Sequence, residues 1–410
     1  MRAYERFAEY VKINTTSDEK SGTHPSFKGE FDLASQIRDQ LIALGLQGVK
    51  MDDNCYVYGF LPATPGYENS KKLGFIAHLD TSCDASGEGV NPVFHENFNG
   101  EEVVFEKTGF VMKAEKYPEL RKLKGETLIT SDGTTLLGAD DKAGVAEIMT
   151  MLEILTKEDN IPHGPVRVAF TPDEEIGEGT DYFDLDYFDA DFAYTVDGGD
   201  CNLLEYENFN AASMTVKVKG VSVHPGDAKN TMINASKVAM EYHNMLPCDQ
   251  CPEKTEGKEG FFHLTEMTGR ASDAELSYII RDHDMNLFCQ KKALAEALAG
   301  ELNEKYGNGT VEVIIKDSYY NMLEKIKPHM HLIENAVKAI EAAGLKAEEV
   351  PIRGGTDGAM LSYKGLPCPN LGTGGFYFHG NQECITVERM DKAVEILINI
   401  VRLYALMKNN

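Results

Sequence analysis

The chain is poor in cysteine, with eight in 410 residues. That is too sparse for a disulfide scaffold. One pair, Cys248 and Cys251, has C-x-x-C spacing, but a structural zinc site needs a second ligand pair nearby in sequence, and none is present. Long apolar runs are also missing. No stretch approaches the roughly 20 residues that a membrane helix requires. The opening Met1-Arg2-Ala3-Tyr4-Glu5-Arg6 leads into a charged helical pattern and not an apolar export signal, so a cytoplasmic protein with reduced thiols is expected. Basic charge is in deficit as well. Forty Lys and Arg against 66 Asp and Glu give a net charge of −26. Such a surface repels phosphate backbones and excludes nucleic acid as a natural partner. Repeats and low-complexity segments are absent.

What remains is a large globular chain. Its 42% hydrophobic content is enough for a core, and its length favours a domain with an insertion, or two domains. Up to about residue 207, helical and strand patterns alternate. Helices are expected over Tyr4–Ile13, Phe31–Leu44 and Gly144–Leu155, and strands over Cys55–Leu61, Leu73–His78, Val166–Phe170 and Phe192–Val196. Residues 87–124 read as hairpins or a loop excursion. This alternation predicts an α/β domain, a mixed sheet with helices on both faces. The pattern then changes. Strand Ala212–Lys219, helix Met232–Leu246, strands Phe261–Met267 and Ala274–Arg281, helix Met285–Tyr306 and strand Val311–Lys316 form a βαββαβ series, a small α+β unit. After Ser318 the first style resumes, with helices over Met330–Ala343 and Asp391–Met407. The expected organisation is therefore a first domain over 1–207 and 319–410, interrupted by a lid-like insertion over 208–318.

The candidate chemistry lies where strands end. Leu73–His78 runs into His78-Leu79-Asp80, and residues two apart on a strand share a face. A carboxylate beside an imidazole can fix its tautomer. A hydrogen-bonded histidine at a strand end is the plain alternative. Asp140 and Asp141 precede a helix; an N-cap role explains one acid but not two. Val166–Phe170 leads into Asp173-Glu174-Glu175, three consecutive carboxylates whose mutual repulsion raises at least one pKa unless a cation is present. Val196 is followed by Asp197, and His379 sits among glycines in Gly374-Gly375-Phe376-Tyr377-Phe378-His379-Gly380. In open α/β sheets, strand ends gather at one crevice. His78, Asp140, Glu175, Asp197 and His379 would then form a mixed N/O ligand set suited to zinc, or to cobalt or manganese. Five ligands exceed the need of one open catalytic zinc and suit a pair of metals sharing a bridging carboxylate.

These segments, HLDT, GADDKAG, TPDEEIG and VDGG, followed by HPG, RGGTDGA and HG, resemble the M20 metallopeptidase family in order and across nearly the whole chain. The likeness is greatest to its tripeptide aminopeptidases. The resemblance implies that His78, Asp140 and Asp197 hold one zinc and that Asp140, Glu175 and His379 hold the other, with Asp140 bridging. It implies that Asp80 orients His78, that Glu174 is the general base, and that the Asp140–Asp141 peptide is cis. It also implies that His224, Arg281 and Arg353 bind substrate, a tripeptide, and that a homodimer can form in which His224 reaches the partner's site. Cys83 departs from the pattern, standing where the family usually has proline. Other M20 activities (dipeptidase, carboxypeptidase, acylase) share the metals, and an inactive metal-binding protein would share the ligands.

Overall fold

A computed structural model describes residues 1–158 and 160–407. The chain divides into two compact units, one built from Met1–Tyr206, Glu324–Val350 and Thr356 onward, the other from Glu207–Leu323 with Pro351–Gly355.

An eight-stranded mixed sheet carries the larger unit. Its order is Gln47–Met51, Val57–Leu61, Val166–Thr171, Leu73–His78, Phe192–Val196, Asn370–Leu371, Leu203–Glu205 and Glu348–Glu349. The four strands from Val166–Thr171 to Asn370–Leu371 are mutually parallel. These strands are almost continuously apolar because both faces are covered. On one face Ile76, Ala169 and Ala193 pack with Phe188, Leu361 and Cys368. On the other, Phe75 stacks on Tyr194, whose hydroxyl donates to the Leu332 carbonyl of helix His331–Ala342. That helix packs with Val387–Leu406, which packs in turn on Ala139–Lys157. Helices therefore cover both faces, as expected. A second sheet joins Gly375–Phe376, Cys384–Thr386, Leu128–Thr130 and Val93–His95, all antiparallel. Within residues 87–124 the expected hairpin is Glu102–Phe105 with Phe110–Lys113.

Register brings the parallel strands to a common level. His78 pairs with Thr171 and Ile76 with Thr195, so the residues just past each strand emerge from one edge of the sheet.

The smaller unit is a four-stranded antiparallel sheet, ordered Phe261–Gly269, Asp273–Asp282, Asn210–Lys219, Val311–Tyr319. Two helices, Ala235–Met245 and Met285–Tyr306, cover one face. The period-2 pattern explains this. Ala212, Met214, Val216 and Val218 are buried with Leu276, Tyr278 and Ile280, while Ser213, Lys217 and Lys219 are exposed. Each large side chain buried here contributes roughly 1.5–3 kcal/mol.

Several elements differ from expectation at their ends. The helix expected from Met232 begins at Ala235, capped by Asn234, whose side chain accepts the Lys237 N–H. The last helix begins at Val387, four residues before the expected Asp391, because Thr386 accepts the Arg389 N–H and starts it early. Cys55 lies in a turn with φ +72° and not in the strand, which starts at Val57. The smaller unit also takes in Pro351–Gly355, outside the expected 208–318 range. Ile352 bridges to Asn208, and Arg353 donates to the carbonyl of Gly257.

Candidate metal centre

Carboxylates and two imidazoles meet at the strand ends of the larger unit. His78 ends its strand almost wholly buried. Its Nδ1 lies 3.1 Å from the Asp80 carbonyl and 3.2 Å from Asp80 Oδ1. Its Nε2 faces Asp140 Oδ1 at 2.9 Å and Asp197 Oδ1 at 3.9 Å. The second oxygen of Asp140 lies 3.3 Å from His379 Nε2, which is 3.0 Å from Glu175 Oε2. One carboxylate thus divides its two oxygens between two imidazoles, the disposition a bridging ligand needs. All five residues expected from the sequence as ligands converge.

Asp140 and Asp141 are joined by a cis peptide and have non-helical backbone at the head of helix Ala139–Lys157. They separate by role. Asp141 accepts the Gly144 N–H at 3.2 Å, the N-cap role, and also the His78 N–H at 3.1 Å. Asp140 is left to face the imidazoles. Gly144 is required by close approach: a Cβ there would stand 1.9 Å from the Val196 carbonyl oxygen.

Asp80 does more than meet His78. Its Oδ1 accepts the Glu174 N–H at 3.0 Å and its Oδ2 the Glu175 N–H at 3.1 Å. It therefore ties the His78 strand to the short 3-10 turn Glu174–Ile176. Glu174 in turn accepts the Asp357 N–H at 3.3 Å.

The electrostatics favour a cation at this centre. Burial, with repulsion from neighbouring acids, pushes the carboxyls of Glu174 and Asp197 well above the usual range and raises that of Glu175. His379 is pushed up to about 11 by its bonds to Asp140 and Glu175. Burial opposes charge on His78, but Asp140 and Asp80 outweigh it and raise its pKa well above the ordinary value. So many buried acids around two imidazoles are stable together only with added positive charge. Glu175 Oε1 is buried with no hydrogen-bond partner, an open lone pair at the centre. The donor set fits divalent metal: His78, Asp140 and Glu175 present ligand atoms within 4.8 Å of one another, and so do His78, Asp141 and Asp197.

Two residues at this centre were not singled out from sequence. Glu383, fully buried, accepts the N–H groups of Leu137 and Gly138 at 2.7 Å each and of Asp140 at 2.9 Å. Asp357 accepts the Thr171 hydroxyl at 2.8 Å, and burial pushes its carboxyl up to about 7. Asp357 stands inside a recognisable Gly-rich segment. Glu383 carries no comparable signal.

The three residues expected to bind substrate belong to the smaller unit. His224 is exposed, and its Nδ1 accepts the Gly226 N–H at 3.1 Å. Arg281 donates to the carbonyls of Ile280 and Ala212 and lies over the Tyr319 ring. The Arg353 guanidinium donates to the Gly257 carbonyl at 2.7 Å and to Thr255 Oγ1 at 3.1 Å, and lies 5.1 Å from the Phe209 ring centroid. Cys83 is exposed, one residue before Asp84, whose carboxylate lies 3.3 Å from His379 Nδ1.

Residues 132–403 match the pattern of peptidase family M20/M25/M40. Peptidase T of Alkaliphilus oremlandii is 50% identical over 403 residues, covering 98% of each chain. Two solved structures share the fold: aminopeptidase PepT from Bacillus cereus, with TM-score 0.78, 22% identity and 98% of each chain covered, and a tripeptidase from Staphylococcus aureus, with TM-score 0.78, 22% identity and 99% and 98% covered.

Proposed function

The chain belongs to peptidase family M20/M25/M40, and from that premise we propose that it is a two-metal aminopeptidase removing the N-terminal residue of tripeptides. The observation that carries this reading is Asp140, whose Oδ1 lies 2.9 Å from His78 Nε2 and whose Oδ2 lies 3.3 Å from His379 Nε2. In our assignment His78, Asp140 and Asp197 hold one zinc, and Asp140, Glu175 and His379 hold the other; cobalt or manganese can substitute. Bound, the pair supplies electrophilic polarisation of the scissile carbonyl and acidifies water from a pKa of 15.7 toward about 7.

The chain's own groups do the rest. Glu174 removes the proton from the attacking water and returns it to the departing amine. Asp80 keeps His78 oriented and holds the turn carrying Glu174 by its backbone N–H. Arg281 and Arg353 suit the terminal carboxylate of the peptide. Arg353 would exchange its present carbonyl acceptors for that carboxylate. His224 is our candidate donor to the developing oxyanion, within one chain or across a homodimer. None of the helices among the described residues is long and apolar enough to cross a membrane. All eight cysteines are free thiols, which supports the cytoplasm as the compartment.

Metal analysis with a panel of di-, tri- and tetrapeptides tests the proposal. Free tripeptides should be cleaved fastest, releasing the first residue. Equal rates on N-terminally blocked peptides would remove the aminopeptidase reading, and release of the last residue would turn it into a carboxypeptidase.

A further inference from the structure

Behind the turn that carries Glu174 and Glu175 lies a second group of metal-competent side chains. His24 comes from the N-terminal loop, and Asp173 and Glu178 bracket the turn on either side. His24 Nδ1 is 3.1 Å from Asp173 Oδ2 and 3.8 Å from Glu178 Oε2. In a tetrahedral site with bonds of about 2.0–2.2 Å, neighbouring ligand atoms stand about 3.3–3.6 Å apart. The two distances from Nδ1 fall on either side of that spacing, and the three ligand atoms lie within 4.8 Å of one another.

Burial separates this cluster from a chance meeting of surface acids. The His24 side chain is 8% exposed and that of Asp173 fully buried, whereas Glu178 is about half exposed. His24 Nε2 is buried without a hydrogen-bond partner, and the carboxylates of Asp173 and Glu178 are the groups that face Nδ1. The ring is held by stacking on Tyr56 and by contact with Tyr182 at 4.8 Å between centroids. Asp173 is oriented by the Ser26 N–H, which both of its oxygens accept, at 3.0 and 2.8 Å. Ligating carboxylates are commonly held by such outer hydrogen bonds. Each carboxylate oxygen has a second lone pair, so this bond leaves Oδ2 free to coordinate. One imidazole and two carboxylates, with no thiolate, suit a zinc-class divalent cation, and the exposed Glu178 side leaves room for water as a fourth ligand.

We propose that His24, Asp173 and Glu178 bind a third divalent cation, distinct from the pair at His78 and His379. Its role is structural. It ties the N-terminal loop to both ends of the turn Glu174–Ile176, where the Glu178 N–H already donates to the Asp173 carbonyl at 3.0 Å.

The test is metal stoichiometry. Stripped protein is dialysed against zinc alone at micromolar free concentration, and bound zinc is counted per chain. Wild type should hold three equivalents, and His24→Phe, which keeps the ring between the tyrosines, should hold two. Glu178→Gln, at a half-exposed position that folding tolerates, should also hold two. Crystals should show an anomalous peak within about 2.0–2.2 Å of His24 Nδ1 in wild type only. Two equivalents in wild type, or three retained in both variants, overturn the proposal, and the cluster is then an imidazole–carboxylate pair. Failure of the two-metal reading looks different: wild type would hold one equivalent and both variants none.

Discussion

Glu383→Gln tests the buried carboxylate that holds the segment presenting Asp140. The substitution keeps the shape and removes the negative charge. The carboxylate now accepts three backbone N–H groups, from Leu137 and Gly138 through Oε2 and from Asp140 through Oε1. Glutamine has one acceptor oxygen. If that oxygen keeps Leu137 and Gly138, the amide NH2 is driven against the Asp140 N–H, donor against donor. A buried donor left unsatisfied costs about 1–3 kcal/mol. The two surviving bonds lose their charge assistance, which roughly halves their strength. The damage falls on the segment that presents Asp140.

A cost of about 1.4–2.7 kcal/mol corresponds to a 10–100-fold change in affinity. That is also the usual effect of removing a group that orients a metal ligand. Glu383→Gln should therefore need roughly 10–100-fold more free zinc for half-occupancy, read by chelator competition. Metal-free protein can relieve the unpaired N–H by shifting the Asp140 segment, which bound metal forbids, so the cost falls on zinc affinity. Glu383→Asp keeps the charge but retracts it by one methylene, and should lie between. An affinity for zinc within a factor of about two of wild type in Glu383→Gln would refute the reasoning. It would mean that the Asp140 segment is held by its own backbone and not by Glu383.

Further outcomes follow from other parts of the larger unit. Glu174→Gln should retain both metals and lose turnover by roughly two to four decades, because the base that starts the reaction is gone; unchanged turnover with full metal content would remove Glu174 from the mechanism. Gly144→Ala must move the Val196 carbonyl, which would stand 1.9 Å from the new Cβ. Overpacking of this kind costs about 1–3 kcal/mol or more, read as a lower thermal midpoint, and an unshifted midpoint would contradict the close approach. Glu153, held down to about 2 against its burial by Lys157, the Met1 ammonium and Arg6, stabilises the fold above its ordinary pKa, and that stability is lost as pH falls through 2. With a discount for the exposed Lys157, Glu153→Gln should cost about 1–2 kcal/mol at neutral pH and flatten the acid loss below about pH 4.5, measured by denaturant unfolding of metal-stripped protein. Equal pH profiles would show that the Glu153 pairs contribute nothing.

The convergence of the five candidate ligands was legible because coordination demands particular side chains, and the sheet puts those side chains at strand ends. Three apolar runs each stop at His78, Thr171 or Val196, and the chemistry begins within four residues of each stop. The smaller unit was legible for a related reason, since its exposed face keeps the period-2 alternation intact from Ala212 to Val218. The outer strands Asn370–Leu371, Leu203–Glu205 and Glu348–Glu349 were not, because two or three residues cannot express a period. Such strands are held by the hydrogen-bonding groups of their neighbours, and every residue type but proline offers both groups. The same argument accounts for Glu383. Its partners are backbone N–H groups 243–246 residues away, so no residue type at Leu137, Gly138 or Asp140 marks where the acid must come from. Asp80 shows both cases in one side chain. Its bond to His78 joins two side chains and could be read from H-x-D spacing. Its bonds to the Glu174 and Glu175 N–H groups could not, although they fix the turn that bears the proposed base. A search for further positioning residues in this chain should therefore look for buried carboxylates that accept backbone N–H from ligand-bearing segments, a pattern visible only once the chain is folded.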